Sequence, residues 1–348
     1  MLKLSTLIGV LIIAGGNYFI TGWFIRYAKV KRITDVPSER SSHSTPTPRG
    51  GGIGFVVSSL ATFLIYFAWN DLLTTTVSTA ILISLTLIAI LGWVDDRKDL
   101  SSLTRFTIHL IAAILVVLFV GSLESFYFPF LSMQSLGIAG IFLTLLWITG
   151  VTNIYNFMDG VDGIASVQAL SASAGWMLIG YFWGEPVIFT VNLVVFGTVS
   201  AFLIYNWSPA RIFMGDVGSV FLGFFFAIMP FLASKISVQH SVATTLWIGA
   251  FLLWPFLFDG SITIFRRILN RENIFEAHRT HLYQRLYISG WSHSRISSLY
   301  LLFSAACIPL AVSFPNSESL TQLKMILGLL VVSFLYVTAV NYIEKDSD

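Results

Sequence analysis

Residues 153–163 read NIYNFMDGVDG, two amides and two carboxylates set between stretches 137–155 and 164–183 that are apolar enough for lipid. A bilayer core of about 30 Å takes roughly 20 apolar residues per helix, and charged side chains inside it are costly. The stretch therefore reads as a polar turn between two membrane spans. Gly160 and Gly163, each following an aspartate, let the chain turn tightly with both carboxylates pointing one way. Asp-Gly and Asn are also ordinary turn residues. Two Asp-Gly pairs three residues apart, beside Asn153 and Asn156, make a bare turn the weaker account.

The same contrast recurs along the chain. Of 348 residues, 55% are hydrophobic and 11% charged, with a mean hydropathy of +0.79, whereas soluble chains carry about 25% charged residues. This predicts an all-α, polytopic membrane helix bundle of about 11 spans, near 4–26, 52–69, 76–94, 105–122, 137–155, 164–183, 187–206, 217–233, 242–265, 296–314 and 323–343. No soluble domain of ordinary size fits between them, so residues 1–348 are expected to form one integral membrane domain. The first run continues to Ile25 without a small-residue cleavage site and is followed by Arg26, Lys29, Lys31 and Arg32, as a retained helix would be. Cys307 is the only cysteine, which excludes an intrachain disulfide and a thiol metal cluster.

Eleven spans divide the basic residues unevenly. Of 20 lysines and arginines, only Lys3, Lys235 and Lys324 fall on one side. By the positive-inside tendency that side is extracytoplasmic, with the N-terminus outside and the C-terminus in the cytoplasm. Of 18 acids, only Asp71, Glu124, Glu185 and Glu318 fall outside. Acids contribute little to topology, so their gathering at the cytoplasmic face calls for another cause. The outer loops carry little chemistry; Glu124 to Ser135, with Phe126, Tyr127, Phe128 and Phe130, reads as an aromatic interfacial segment.

The cytoplasmic segments 29–51, 95–104, 156–163, 207–216 and 266–295 hold the candidate chemistry. The first ends in TPTPRGGG, residues 45–52. Its glycines either leave backbone amides open to an anion or serve only for tight packing into the next helix. Arg49 suits paired hydrogen bonds to a phosphate. The second carries Asp95, Asp96 and Asp99 as DDRKD at a helix C-terminus, where the dipole disfavours carboxylates. A cation removes that conflict, and Mg²⁺, which commonly joins one or two carboxylates to phosphates, is the natural one; the alternative is a solvated loop balanced by Arg97 and Lys98. The opening stretch is the third. The fourth, YNWSPARIFMGDVGS at 205–219, holds Asp216, a metal candidate or a cap of the next helix. Phe213 and Phe221 suit the core. The fifth reads AHRTHLYQRL at 277–286; if helical, it puts His278, His281 and Arg285 on one face, with Arg279 beside them, a set suited to pyrophosphate. Asp259, an intramembrane acid, is either functional or paired with Arg266 or Arg267.

In this order, the Gly-rich loop, DDRKD, NxxNxxDGxDG, FMGDVGS and a His-containing last loop resemble the polyprenyl-phosphate N-acetylhexosamine-1-phosphate transferases, a superfamily that includes the phospho-MurNAc-pentapeptide translocase. The resemblance runs from about Arg40 to Arg285. It implies Mg²⁺-dependent (or Mn²⁺-dependent) transfer of a sugar 1-phosphate from a UDP-N-acetylsugar to undecaprenyl phosphate at the inner face of a bacterial cytoplasmic membrane, with UMP released. Asp95 then matches the base or nucleophile and Asp96 its neighbour. Asp216 matches the metal ligand, with Asp96 as its companion. Asn206 and Phe213 match uridine contacts, and Asp159 and Asp162, beside Asn153 and Asn156, the nucleotide loop. His281 opens the terminal His motif. Many relatives have His-Leu-His-His where this chain has His281, Leu282, Tyr283 and Gln284, which favours phosphate binding over acid–base work. The variant resembles the branch that starts O-antigen or related polysaccharides. Direct attack and a two-step aspartyl-phosphate route both stay open, as does a homodimer; no nucleic-acid partner is expected. The competing class is a transporter, whose acids should lie near mid-membrane.

Overall fold

The computed structural model describes residues 4–35, 45–131, 133–237, 239–272 and 279–347. It is an almost wholly helical bundle, and each predicted span coincides with a helix: α1 (Leu4–Lys31), α2 (Ile53–Trp69), α3 (Thr76–Lys98), α4 (Ser102–Phe119), α5 (Ile138–Phe157), α6 (Ile164–Trp183), α7 (Pro186–Asn206), α8 (Asp216–Ile236), the pair α9 (Val242–Leu252) and α10 (Trp254–Leu269), then α12 (His293–Ser313) and α13 (Ser319–Ser347), with the short α11 (Leu282–Ile288) between. Among the described residues eight helices are long and apolar enough to cross a membrane, nine if α9 and α10 count as one broken span. Helix α2, at 17 residues, is shorter, and α6 is less apolar because it carries Gln168 and three serines. The chain is a multi-pass membrane protein.

Local chemistry sets many of the ends. Thr75, Ser101, Ser241 and Ser292 cap α3, α4, α9 and α12 by accepting a hydrogen bond from the amide three residues on. Gly184 ends α6 at φ +70°, and Pro186 opens α7 where its missing N–H costs nothing. The outer aromatic segment forms a two-stranded ribbon, β3 (Ser125–Phe126) against β4 (Gln134–Ser135); a second ribbon pairs β1 (Thr34–Asp35) with β2 (Thr47–Pro48).

Helix α8 is the axis: 94% of its apolar window is buried, and α2, α3, α5 and α9 pack around it. The outer helices α1, α4 and α13 are mostly unburied and turn large apolar side chains such as Phe19, Leu118 and Phe334 outward, as lipid contact requires. Two close approaches bring helix ends together at the loop-rich end of the bundle. A Cβ on Gly52 would fall 2.6 Å from the Gly218 Cα, and one on Gly92 2.6 Å from the Asp216 carbonyl oxygen. Only glycine lets α2 and α3 meet the start of α8 this closely.

Three expectations change. The span at 242–265 is not straight: α9 and α10 meet at 85°, because Pro255 restarts the helix without an N–H to continue the ladder. The Gln168 side-chain NH₂ donates to the Leu252 carbonyl left at the break (2.8 Å), and the Ser304 hydroxyl donates to Gln168 Oε1 (2.7 Å). The stretch 153–163 is half helix, since α5 runs to Phe157 and only 158–163 turn. The third span, expected to end near 94, runs on to Lys98, so Asp95 and Asp96 form part of the last turn of α3.

Candidate functional site

The RGGG segment meets the FMG segment first. The amides of Gly51 and Gly52 donate to the carbonyls of Phe213 (2.9 Å) and Met214 (2.8 Å), and the Phe213 amide donates to Pro48 (2.8 Å). Gly51 and Gly52 serve packing, and their amides, expected to stay open for an anion, are spent on this zipper. It places Arg49 at the start of α8. There its Nε lies 2.9 Å from Asp96 Oδ1, and its Nη2 lies 2.9 Å from Asp216 Oδ2. Partial burial works against the Arg49 charge, but Asp216 and Asp96 outweigh it and hold the guanidinium above its ordinary value.

Asp96 resolves the dipole conflict seen in the sequence. Its carboxylate leaves the C-terminal end of α3 and accepts the amides of Asp216 (2.9 Å) and Val217 (3.1 Å), the positive end of α8. Asp216 therefore starts α8 but does not cap it; Asp96 does so from another helix. Asp95 accepts from the Leu100 amide (2.8 Å), faces Arg105 at 3.3 Å and neighbours Asp216.

A cavity of about 310 Å³ opens beside this cluster. Of the predicted residues, Arg49, Asn156, Asp159, Asp162, Asn206, Phe213 and Asp216 line it. Burial first, then the Asp216 charge, push the Asp159 carboxyl well above its ordinary range, and Arg49 offsets only part of this. Asp162 is also a tie. Its Oδ2 accepts the Ala210 amide (3.1 Å), its Oδ1 lies 3.2 Å from His293 Nδ1, and its carbonyl takes the Ser297 hydroxyl (2.7 Å). Burial opposes the Asp162 charge, yet His293, the Ala210 amide and the Ser208 hydroxyl bring the carboxyl below its ordinary value. Asn206 spends its amide on Ser166 (2.9 Å) and the Ile212 carbonyl (3.1 Å), so it shapes the wall. Asn156 accepts from Ser219 (2.5 Å).

Other expected residues lie elsewhere. Asn153 bonds back to Thr149 within α5 (2.8 Å). His281 is buried, with Nδ1 3.1 Å from Asp259, so Asp259 pairs with neither Arg266 nor Arg267. Helix α11 begins only at Leu282, so His281 and Arg285 share no helical face; Arg285 turns to Asn341 (2.7 Å) and Glu344 on α13. Arg279 is half-buried and does not line the cavity. His278 lies outside the described residues. Asp35, Ser219 and Gln284 line the cavity without having been expected there. Ser219 closes FMGDVGS and Gln284 sits where the His motif departs, which were usable signals; Asp35 offered none.

Among the described residues no three His, Cys, Asp or Glu side chains converge as a closed metal site. Mg²⁺ needs no such cage, since it commonly takes one or two carboxylates and completes its shell with water and substrate phosphates. Asp216 and Asp159, two electrostatically coupled carboxylates in one cavity wall, are a donor set of that kind. Asp96 does not line the cavity, and its two oxygens are engaged by Arg49 and two amides, which leaves it a poorer ligand than expected.

The profile described as glycosyl transferase family 4 matches residues 78–234. A probable undecaprenyl-phosphate N-acetylglucosaminyl 1-phosphate transferase of Bacillus subtilis is 34% identical over 296 residues, covering 81% of this chain and 80% of that protein. The chain belongs to glycosyl transferase family 4. Within the family it is also 32% identical to an undecaprenyl-phosphate alpha-N-acetylglucosaminyl 1-phosphate transferase of Pasteurella multocida, over 91% of this chain and 89% of that one. It is 27% identical to a decaprenyl-phosphate N-acetylglucosaminephosphotransferase of Mycolicibacterium smegmatis, over 95% and 87%.

Proposed function

We propose that this family 4 protein transfers an N-acetylhexosamine 1-phosphate from a UDP-sugar to undecaprenyl phosphate, releasing UMP and starting a lipid-linked glycan at the cytoplasmic face of a bacterial inner membrane. The observation that carries the proposal is the cavity at the loop-rich end of an apolar bundle, where Arg49, Asp159 and Asp216 share a wall with Phe213. It suits a ligand with a diphosphate and a base. The relatives' names carry polyprenyl phosphate and N-acetylglucosaminyl 1-phosphate, so UDP-N-acetylglucosamine is the first donor to test. The acids gather at one end of the bundle, which gives the transporter alternative no support.

In this reading Arg49 holds a non-bridging diphosphate oxygen, and Phe213 offers an apolar face to the uracil. Mg²⁺ on Asp216 and Asp159 would neutralise charge growing on the departing UMP. The lipid phosphate approaches from the α3–α4 side, where Arg105, paired with Asp95 at 3.3 Å, supplies positive charge, and Asp95 accepts its proton. An oxygen of the lipid phosphate then bonds to the sugar-linked phosphorus, the bond from that phosphorus to the UMP oxygen breaks, and its electron pair leaves on UMP. Asp95 is only 4% exposed and held by Leu100 and Arg105, which suits a base better than a nucleophile that must itself reach the phosphorus.

The test is the purified chain in detergent with Mg²⁺ or Mn²⁺, undecaprenyl phosphate and a panel of labelled UDP-N-acetylsugars. Lipid-linked pyrophosphoryl sugar and UMP should appear in equal amounts, stop on chelation, and fall by about 100-fold or more in Asp216→Asn. UMP release without a lipid product, or full activity in that variant, would sink the proposal.

A further inference from the structure

One buried acid has no part in that mechanism. Asp259, on α10, is fully buried and outside the cavity wall. Five donors from three segments converge on it: His281 Nδ1 (3.1 Å), the amides of Leu282 (2.9 Å) and Tyr283 (3.1 Å), and the hydroxyls of Tyr300 (2.5 Å) and Thr263 (3.3 Å). A carboxylate sealed from water is a poor source of stability in itself, because desolvation offsets much of what its partners return. Its effect is positional: it fixes where residues 281–283 lie relative to α10 and α12.

Helix α11 needs that anchor. Its seven residues are too few to hold a helix alone, since isolated helices shorter than about 12–15 residues are marginal. Beside the tie of Arg285 to α13, a further contact is equally specific. The Tyr283 hydroxyl donates to the Phe157 carbonyl at 3.0 Å, and a Cβ on Gly160 would fall 2.0 Å from the same hydroxyl oxygen. With α11 docked on the DGVDG turn, the next residue, Gln284, reaches the cavity. Gln284 Oε1 accepts the His281 amide at 3.3 Å and its NH₂ donates to the Tyr283 hydroxyl, which leaves the second N–H of the amide to offer a ligand.

We infer that Asp259 is a positioning residue which, through Leu282 and Tyr283, presents the Gln284 amide as a hydrogen-bond donor to an oxygen of the bound nucleotide sugar. His281 belongs to the anchor rather than to the reacting groups. The inference rests on the transferase reading for the identity of the ligand; the anchoring stands on geometry alone.

The experiment uses the full chain in detergent and two variants, Asp259→Asn and Gln284→Ala, with KM and kcat for UDP-N-acetylglucosamine and for undecaprenyl phosphate, and hydrogen exchange without substrate. Asp259→Asn replaces an acceptor with a group half of which is a donor facing donors. Exchange at Leu282 and Tyr283 should quicken by about tenfold or more while that of α5–α8 stays, and KM for the UDP-sugar should rise about tenfold with KM for the lipid phosphate changed by less than about twofold. Gln284→Ala should raise the same KM, and the double variant should be little worse than either alone, because both remove one contact. Unchanged exchange at Leu282 and Tyr283, equal losses for both substrates with faster exchange throughout α5–α8, or fully multiplicative variants would overturn the inference. A wild-type chain that turns over no UDP-N-acetylsugar defeats the proposed function instead, and the exchange measurement still decides the role of Asp259.

Discussion

Asp96 and Asp259 are two carboxylates in the same device at different places. Each projects from one helix and accepts two consecutive amides at the start of another, Asp216 and Val217 in one case and Leu282 and Tyr283 in the other. Their company differs. Asp96 shares Arg49 with Asp216 at the edge of the cavity, so any change in its charge is felt by the groups that face substrate. Asp259 is wrapped by Tyr300, Thr263 and His281 and sealed from water, so its influence travels through backbone position. One fold uses a buried carboxylate once to set a field and once to hold a loop.

The comparison breaks most visibly at Asp96. Asp96→Asn sets an NH₂ group among Arg49 and the two amides and frees Arg49 from one of its carboxylates. The expected result is a loss of kcat of about 100-fold or more, with both substrates still bound, as measured by UMP release and binding titration. Tyr300→Phe trims the second region: Asp259 loses one donor and keeps four. Stability in detergent should fall by about 1–2 kcal/mol while kcat stays within about threefold, as read by thermal melts and initial rates; a kcat loss matching that of Asp96→Asn would erase the distinction.

The smallest effect belongs to Asp162, whose tie to His293 and Ala210 lies between the two regions. Its carboxyl is held below the ordinary 3.8. Its contribution is therefore complete above that ordinary value and is lost as pH falls through the lower folded value. Melting temperature should be insensitive to this group from pH 7 to 5 and drop below about pH 4, and Asp162→Asn should remove that part of the drop.

What was legible before the structure follows the same division. The first region announced itself because its residues cluster locally, as RGGG, DDRKD and FMGDVGS, each ending or beginning an apolar run. The pairings inside it were hidden: nothing in DDRKD says that Asp96 bonds to α8 while Asp95 faces α4. In the second region Asp259 and His281 stood out, but their pairing was hidden and Tyr300 went unnoticed. Asp259, His281 and Tyr300 stand apart in sequence, and His281 looked like chemistry because a histidine near arginines suggests phosphate binding. The bend at Leu253 escapes hydropathy over 242–265, which measures apolarity and not direction, although Pro255 marked the place where the helix would break. Asn153 shows the converse error, an amide on the expected stretch whose helical phase turns it back onto its own helix.

The amino-acid sequence alone determined that the chain is a membrane helix bundle, which loops carry its acids, and which family those motifs resemble. These follow from apolar run length and local clustering, and both are properties of neighbours along the chain. Tertiary structure decided which carboxylates face the cavity, which are consumed by helix amides, and that Gln284 rather than His281 reaches the wall. Those outcomes depend on groups up to 167 residues apart, as Arg49 and Asp216 are. They turn on ångström-scale packing at Gly52, Gly92 and Gly160, where a single Cβ would have moved one helix end or turn away from the site.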